Sequence, residues 1–351
     1  MTLDKKVKLV QLEYRFYKTF TKQYWFTSIL LLPFYIYAVF YMLFKARTFM
    51  FFTAINPSLR YGGTCTSKFD LLNQVHKKYL PTGVVLPQNT SKALVLAQMQ
   101  ANNLQFPIIL KPDIGERGRG VIKINGEQEL QPYLDENKKP LILQEFITYK
   151  QEFGLMYVRL PNEPQGKITS LAVKNFLYVT GDGYSTLFAL MTKNVDCIFY
   201  IDYLVADFKH RLYEVIDYLV VVPLLELGIC HHGASCVGLN HLITNELNQL
   251  FDDVSKTIDR FDVGRYDVKA ENYGELLKGN FKVIEINGTD AVPLHIFDKT
   301  LMYHSVISDL VKHWQNLLKI AINNHKMGMK YAHFFPVLKE IYQNGSFDKV
   351  K

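Results

Sequence analysis

Cysteine is scarce in this chain. Cys65, Cys197, Cys230 and Cys236 are the four in 351 residues, too few and too scattered for a disulfide framework, so a reducing compartment is the natural reading. A usable zinc pattern is also lacking. Cys230, His231, His232 and Cys236 crowd together, but their spacing is not that of a structural zinc site, and adjacent histidines on a strand point apart. A packed loop is expected there instead. No low-complexity run or internal repeat stands out, so neither a disordered tail nor a solenoid is indicated. The net charge of +7 is spread through the chain with no Arg/Lys stripe, and no nucleic-acid partner is expected. Two common nucleotide motifs are missing as well. Residues 115–120 have G-x-x-x-x-G spacing, yet Val121 and Ile122 follow where a Walker A loop needs Lys-Ser/Thr. The glycines fall as G-x-x-G-x-G between two β-like runs, unlike a dinucleotide fingerprint.

What is present suits a folded enzyme. The chain is 48% hydrophobic and 21% charged, enough for two or three domains with real cores. Residues 106–124, FPIILKPDIGERGRGVIKI, read as a β-hairpin with a glycine-rich tip and Lys111 at the end of its first strand. Alone, this reads equally well as a mobile turn beside a solvated lysine. Two later segments change the balance. Arg265 and Asp267 are two apart on one predicted strand, and Glu285 and Asn287 are two apart on another. Strand side chains alternate, so each pair shares a face. That face carries a cation, two carboxylates and an amide, which can hold magnesium through oxygen and still offer positive charge to a phosphoryl group. Residues 180–186, TGDGYST, read as a tight turn in which Asp182 need not be catalytic. Residues 302–325 have the apolar period of a helix.

With these segments in order, residues 67–298 resemble the ATP-grasp superfamily, and within it the D-alanine–D-alanine ligase-like branch. The resemblance implies an α+β fold of two lobes with ATP between them. Lys68 looks like the first nucleotide lysine and Lys111 the second, beside a lid formed by Gly115, Gly118 and Gly120. Gln144, Glu145, Phe146 and Ile147 resemble the hinge whose backbone meets the adenine, and Glu152 the acid that takes the ribose hydroxyls. Lys174 is placed like a further phosphate lysine. Arg265 is similar to the transition-state arginine, and Asp267, Glu285 and Asn287 to the metal ligands. The implied cofactors are ATP and magnesium, as two ions or with manganese in their place. The implied chemistry joins a carboxylate to an amine through an acyl phosphate. An ATP-binding protein or membrane scaffold without turnover is the alternative.

Departures from the branch concern the substrate. D-alanine ligases carry a complete α/β domain before the first lysine, whereas 67 residues precede Lys68 here, with a long apolar run among them. Residues 288–298 read GTDAVPLHIFD where the ligases have a proline-glycine turn, so D-alanine is not carried across.

The apolar run, residues 24–44, holds twenty-one residues without a charge and is bounded by Lys22 and Lys45. Its length can cross a bilayer, and its tryptophan and tyrosines suit the interfacial belt. Pro33 is expected to kink it. The arm before it holds Lys5, Lys6, Lys8, Arg15, Lys18 and Lys22 against Asp4 and Glu13, which opposes export. The expectation is therefore a cytoplasmic enzyme held by lipid at the inner membrane face through a hairpin or an interfacial helix. A buried helix or an oligomer contact is the alternative. The expected divisions are a membrane-associating segment at 1–48, a smaller lobe with the lid at 49–140, and a larger lobe with hinge and metal site at 141–351.

Overall fold

The computed structural model describes Leu3, Leu12 and residues 5–10, 31–115, 118–198, 200–225, 227–228 and 235–343. Helices and sheets are mixed, as the α+β reading expects. The chain divides into two compact units. The larger comprises Phe34–Val173, Gly238–Ile296 and Met302–Lys351. The smaller comprises Met1–Pro33, Lys174–Val237 and Phe297–Leu301.

The strands are β1 (Gly83–Leu86), β2 (Ile108–Pro112), β3 (Ile122–Ile124), β4 (Leu141–Glu145), β5 (Gln151–Val158), β6 (Lys167–Asn175), β7 (Tyr178–Thr180), β8 (Val221–Pro223), β9 (Ser235–Gly238), β10 (Val263–Ala270) and β11 (Phe281–Asn287). The first sheet has the order β1-β4-β2-β3, and the second β11-β10-β5-β6-β9. The chain passes between units within β6 and again within β9.

The first sheet is antiparallel, and the expected glycine-tipped hairpin is its β2–β3 pair, with Ile108 opposite Ile124. Alternation sorts its two faces. Ile108, Leu110, Leu141 and Leu143 enter a core with Val95, Met99, Tyr133 and Leu134 from helices Lys92–Ala101 and Leu130–Glu136. Lys111 and Gln144 therefore point from the other face.

The second sheet is sorted the same way. Phe153, Leu155 and Tyr157 of β5, with Tyr266 and Val268 of β10 and Phe281, Val283 and Ile286 of β11, pack on helix Asn245–Lys256 through Leu247, Phe251 and Val254. The opposite face is divided along its length. At one end Met156, Val158 and Val263 pack with Leu317, Leu318 and Ala321. These last three belong to helix Tyr303–Lys326, where the sequence predicts a helix over 302–325. The other end of that face carries Glu152, Arg265, Asp267 and Lys269.

In the smaller unit, β7 pairs with β8, and Leu187, Met191, Ile201, Leu204, Leu212 and Val222 form a separate core. Asp182 accepts hydrogen bonds from the Tyr184 and Ser185 amides and from Ser185 Oγ, so it is a turn residue as expected. The crowded cysteine–histidine loop lies outside the described residues up to residue 234; its last member, Cys236, is buried in β9.

The amino-terminal run departs from expectation. Residues 24–30 lie outside the described residues. The remainder forms a ten-residue α-helix, Leu32–Tyr41, continued by a π-helical turn, Met42–Ala46. Pro33 stands in the first turn of this α-helix, where its missing N–H is tolerated. Among the described residues no helix is long and apolar enough to cross a membrane.

Candidate active site

The site assembles where the polar end of the second sheet meets the polar face of the first, all within the larger unit. On β10 and β11 the register places Arg265 opposite Asn287 and Asp267 opposite Glu285. After that pair the register slips, with Val268 opposite Val283, so Ile284 is an extra residue in β11. Such a bulge takes a backbone carbonyl out of the ladder. The Ile284 carbonyl accepts instead from Lys111 Nζ at 2.9 Å, and Gln144 Oε1 accepts from the same ammonium at 2.8 Å. A bulge on one sheet and a glutamine on the other thus fix the lysine of β2.

Lys68 opens helix Lys68–Leu72 behind the N-cap Ser67, whose Oγ accepts from the Asp70 amide at 3.1 Å. Asp113, just past β2, holds this cap: its Oδ1 accepts from Ser67 Oγ and from the Phe69 amide, both at 3.0 Å. Lys68 Nζ pairs with Glu285 Oε1 at 2.7 Å. Arg265 grips Asp267 with two parallel bonds, Nε to Oδ1 at 3.1 Å and Nη2 to Oδ2 at 3.2 Å. Its Nη1 donates to the Val292 carbonyl at 3.3 Å, tying down the loop after β11. In the amide orientation that satisfies both neighbours, Asn287 donates to Glu285 Oε1 at 3.0 Å and accepts from Arg265 Nη2 at 3.2 Å. Close backbone approach makes this possible. A Cβ on Gly154, opposite Asp267, would lie 2.4 Å from Leu294 Cδ1, and one on Gly63 would lie 2.8 Å from Gly288 Cα.

Charge is divided unevenly among the lysines. Burial lowers the Lys111 pKa to about 8, with Lys68 adding repulsion and Glu285 only partly compensating. Burial also opposes ionisation of Lys68, but the direct Glu285 pair outweighs it and raises the pKa. For Glu285, burial pushes upward, while Lys68 and Lys111 prevail and hold the carboxyl well below the usual range. The result is a carboxylate flanked by two ammoniums, one firmly charged and one close to losing its proton at neutral pH.

The remaining expected residues are placed as follows. Gly118 and Gly120 both have φ of +71°, a conformation glycine adopts freely, and Tyr133 Oη donates to the Gly120 carbonyl at 2.7 Å. Gly115 precedes them and lines a pocket with Gly63, Lys68, Asn287, Gly288 and Asp290. Residues 116–117 of the lid lie outside the described residues. In the hinge, Glu145 binds the Thr82 amide through Oε2 at 3.0 Å. The Ile147 carbonyl accepts from Lys269 Nζ at 2.9 Å. The Phe146 ring is covered by two ammoniums, Lys123 at 4.7 Å and Lys269 at 5.0 Å from its centroid. Glu152 is buried on β5, opposite Lys269 in the register. Lys174 is buried near the end of β6, the strand that lies beside β5 in the second sheet.

Lys269, Lys123 and Asp113 were missed by sequence reasoning. A signal existed for Lys269, since Arg265, Asp267 and Lys269 continue one period-two series. Asp113 gave none, because its role depends on a helix start 46 residues earlier.

Among the described residues no group of three or more His, Cys, Asp or Glu could hold a metal ion. The candidate set is smaller and of another kind. Asp267 and Glu285 face each other across two strands with Asn287 beside them, and two carboxylates with an amide oxygen fit a hard dication.

Residues 71–163 match the family of RimK-like ATP-grasp domains. Over that stretch the chain is similar to an ATP-grasp domain. The matched span takes in β1 to β5, with Lys111, the lid, the hinge and Glu152; Lys68 and the β10–β11 residues lie beyond it. No curated protein matches the chain. Among solved structures it is similar to the VanG D-Ala:D-Ser ligase from Enterococcus faecalis, at 14% identity and a TM-score of 0.40, over 72% of this chain and 62% of the ligase. It is similar to a carboxyaminoimidazole ribonucleotide synthase from Aspergillus clavatus complexed with ATP, at 14% identity and a TM-score of 0.39, over 65% of this chain and 46% of the synthase. A bifunctional glutathione synthetase from Pasteurella multocida gives 14% identity and a TM-score of 0.38, over 76% of this chain and 37% of the synthetase. The chain spans less than two thirds of the length of each.

Proposed function

We propose that the protein is an ATP-dependent ligase that forms a C–N bond between a carboxylate and an amine. The observation that carries this reading is the meeting of Lys68, Lys111 and Arg265 with Asp267, Glu285 and Asn287 in one largely buried group beside an ATP-grasp domain. Buried charges at this density cost folding free energy unless each is matched, so such groups mark functional sites more often than structural ones.

In this reading the hinge residues Gln144, Glu145, Phe146 and Ile147 receive the adenine, Glu152 the ribose, and Lys68 and Lys111 the phosphates. The lid glycines Gly115, Gly118 and Gly120 close over the nucleotide and exclude water. A substrate carboxylate oxygen takes the γ-phosphoryl group as its bond to the ADP oxygen breaks. The amine lone pair then attacks the acyl carbon, the C–N bond forms, phosphate leaves and the amine proton passes to solvent. Arg265, held against Asp267, keeps its charge throughout and offers it to the oxygens of the transferring phosphoryl group. Asp267, Glu285 and Asn287 would hold magnesium, which supplies charge neutralisation when bound. Lys174 is not needed for this account.

The test pairs calorimetric binding of Mg-ATP with ADP release screened over amino acids, peptides and short carboxylates. Micromolar nucleotide affinity, with ADP release only when both a carboxylate and an amine are supplied, is expected. Absence of ATP affinity would overturn the nucleotide site itself. Affinity without release for any pair tried would leave a binding protein and remove the ligase.

A further inference from the structure

Helix Leu32–Tyr41 and the π-turn after it present an apolar face to solvent. Ile36, Val39, Phe40, Leu43 and Phe44 recur at helical spacing, and Ile36, Phe40 and Phe44 are 63%, 57% and 64% exposed. The Phe40 and Phe44 rings lie against each other at a 35° tilt with centroids 4.3 Å apart, and exposed Phe49 follows shortly after. A surface helix of a water-facing domain turns polar side chains outward; this one turns out none along that stripe.

The opposite face prevents the helix from rolling to hide the stripe. Phe34 and Ala38 are buried, Phe34 meets the Trp314 ring edge-on at 5.8 Å, and Gln315 Nε2 donates to Tyr37 Oη at 2.9 Å. Charge distinguishes among the surfaces that could cover it. The sequence has no Asp or Glu between Glu13 and Asp70, and the stripe ends at the exposed cations Lys45 and Arg47. An apolar face followed by two exposed cations, within a stretch of sequence free of carboxylates, matches the interfacial region of an anionic bilayer. A ten-residue helix is about 15 Å long, half of a hydrocarbon core, so this element suits lying along a membrane surface rather than crossing it.

We propose that the face formed by Ile36, Val39, Phe40, Leu43, Phe44 and Phe49 seats the protein on an anionic lipid surface, with Lys45 and Arg47 at headgroup level. This proposal does not depend on the ligase reading.

The experiment is vesicle flotation of the full chain, using phosphatidylcholine vesicles with and without 30% phosphatidylglycerol at low and high salt. Binding to anionic vesicles, weakened severalfold by salt, is expected. Ile36→Ser/Phe40→Ser should lower the bound fraction at least tenfold with nucleotide affinity unchanged, and Lys45→Gln/Arg47→Gln should lower it on anionic vesicles only. Failure of the parent protein to float would overturn the proposal. Equal flotation of the Ser variant would overturn it too, placing any lipid contact elsewhere in the chain. If the Ser variant instead dissociates a dimer in sedimentation velocity while flotation stays the same, the face belongs to a second copy.

Discussion

Replacing Lys111 by methionine separates what this residue does for function from what it costs the fold. Methionine keeps most of the length of the side chain and removes the charge. In the folded protein the ammonium is buried among its neighbours, with a pKa lowered from 10.5 to about 8. That drop is worth about 3 kcal/mol, at roughly 1.4 kcal/mol for each tenfold change in proton affinity. Below pH 8 both states are protonated, and the folded state bears the whole penalty. Between pH 8 and 10.5 the unfolded chain binds a proton that the folded one has released, so stability rises with pH through that window. Lys111→Met removes the penalty but leaves the Gln144 and Ile284 oxygens without their donor, a loss of about 1 kcal/mol each. The net expectation at pH 7 is a variant about 1 kcal/mol more stable than its parent, with nucleotide affinity at least tenfold weaker. Urea denaturation at pH 7 and pH 10, with calorimetry of Mg-ATP binding, reads both quantities. The stability gain should vanish at the higher pH. A variant destabilised by more than about 3 kcal/mol would show Lys111 to be a structural cation, since loss of a buried partner costs that much. Unchanged affinity would remove it from the nucleotide site.

Other substitutions probe the neighbours. Glu285→Gln breaks the half-buried pair with Lys68 and should cost about 2 kcal/mol in urea denaturation at pH 7 while nearly abolishing turnover. The parent's Glu285 contribution, present above pH 4.5 and lost as the pH falls toward 2, should be missing from the variant's acid titration. Gly154→Ala drives a Cβ against Leu294 and should destabilise by about 1–3 kcal/mol in urea denaturation; in a double-mutant cycle with Leu294→Ala that cost should shrink, because the clashing side chain is gone. His313 is buried, which lowers its pKa to about 4, so between pH 6.5 and 4 the unfolded chain takes up a proton that the folded one refuses. Stability should therefore fall by about 3 kcal/mol across that interval, and the fall should be largely absent in His313→Leu.

Local rules made much of this molecule legible. Alternation along FPIILKP assigns Ile108 and Leu110 to a core and Lys111 to the opposite face, and the same rule pairs Arg265 with Asp267 and Glu285 with Asn287. The long helix near the carboxyl end follows from its apolar period, and the β2–β3 hairpin from its glycine-rich tip. The helix start at Leu32, with Pro33 in its first turn, could not be placed from a run that is apolar on both sides of the proline.

Sequence by itself determined which residues face together on each strand, because side-chain direction on a strand is a property of the backbone alone. Tertiary structure decided who meets whom. The bulge at Ile284 that offers a carbonyl to Lys111, the Asp113 clamp on the Lys68 helix, and the stripe left bare on helix Leu32–Tyr41 all depend on register and packing between segments distant in the chain. Those are set by how whole faces bury against one another, a free energy shared by many residues that no local pattern carries.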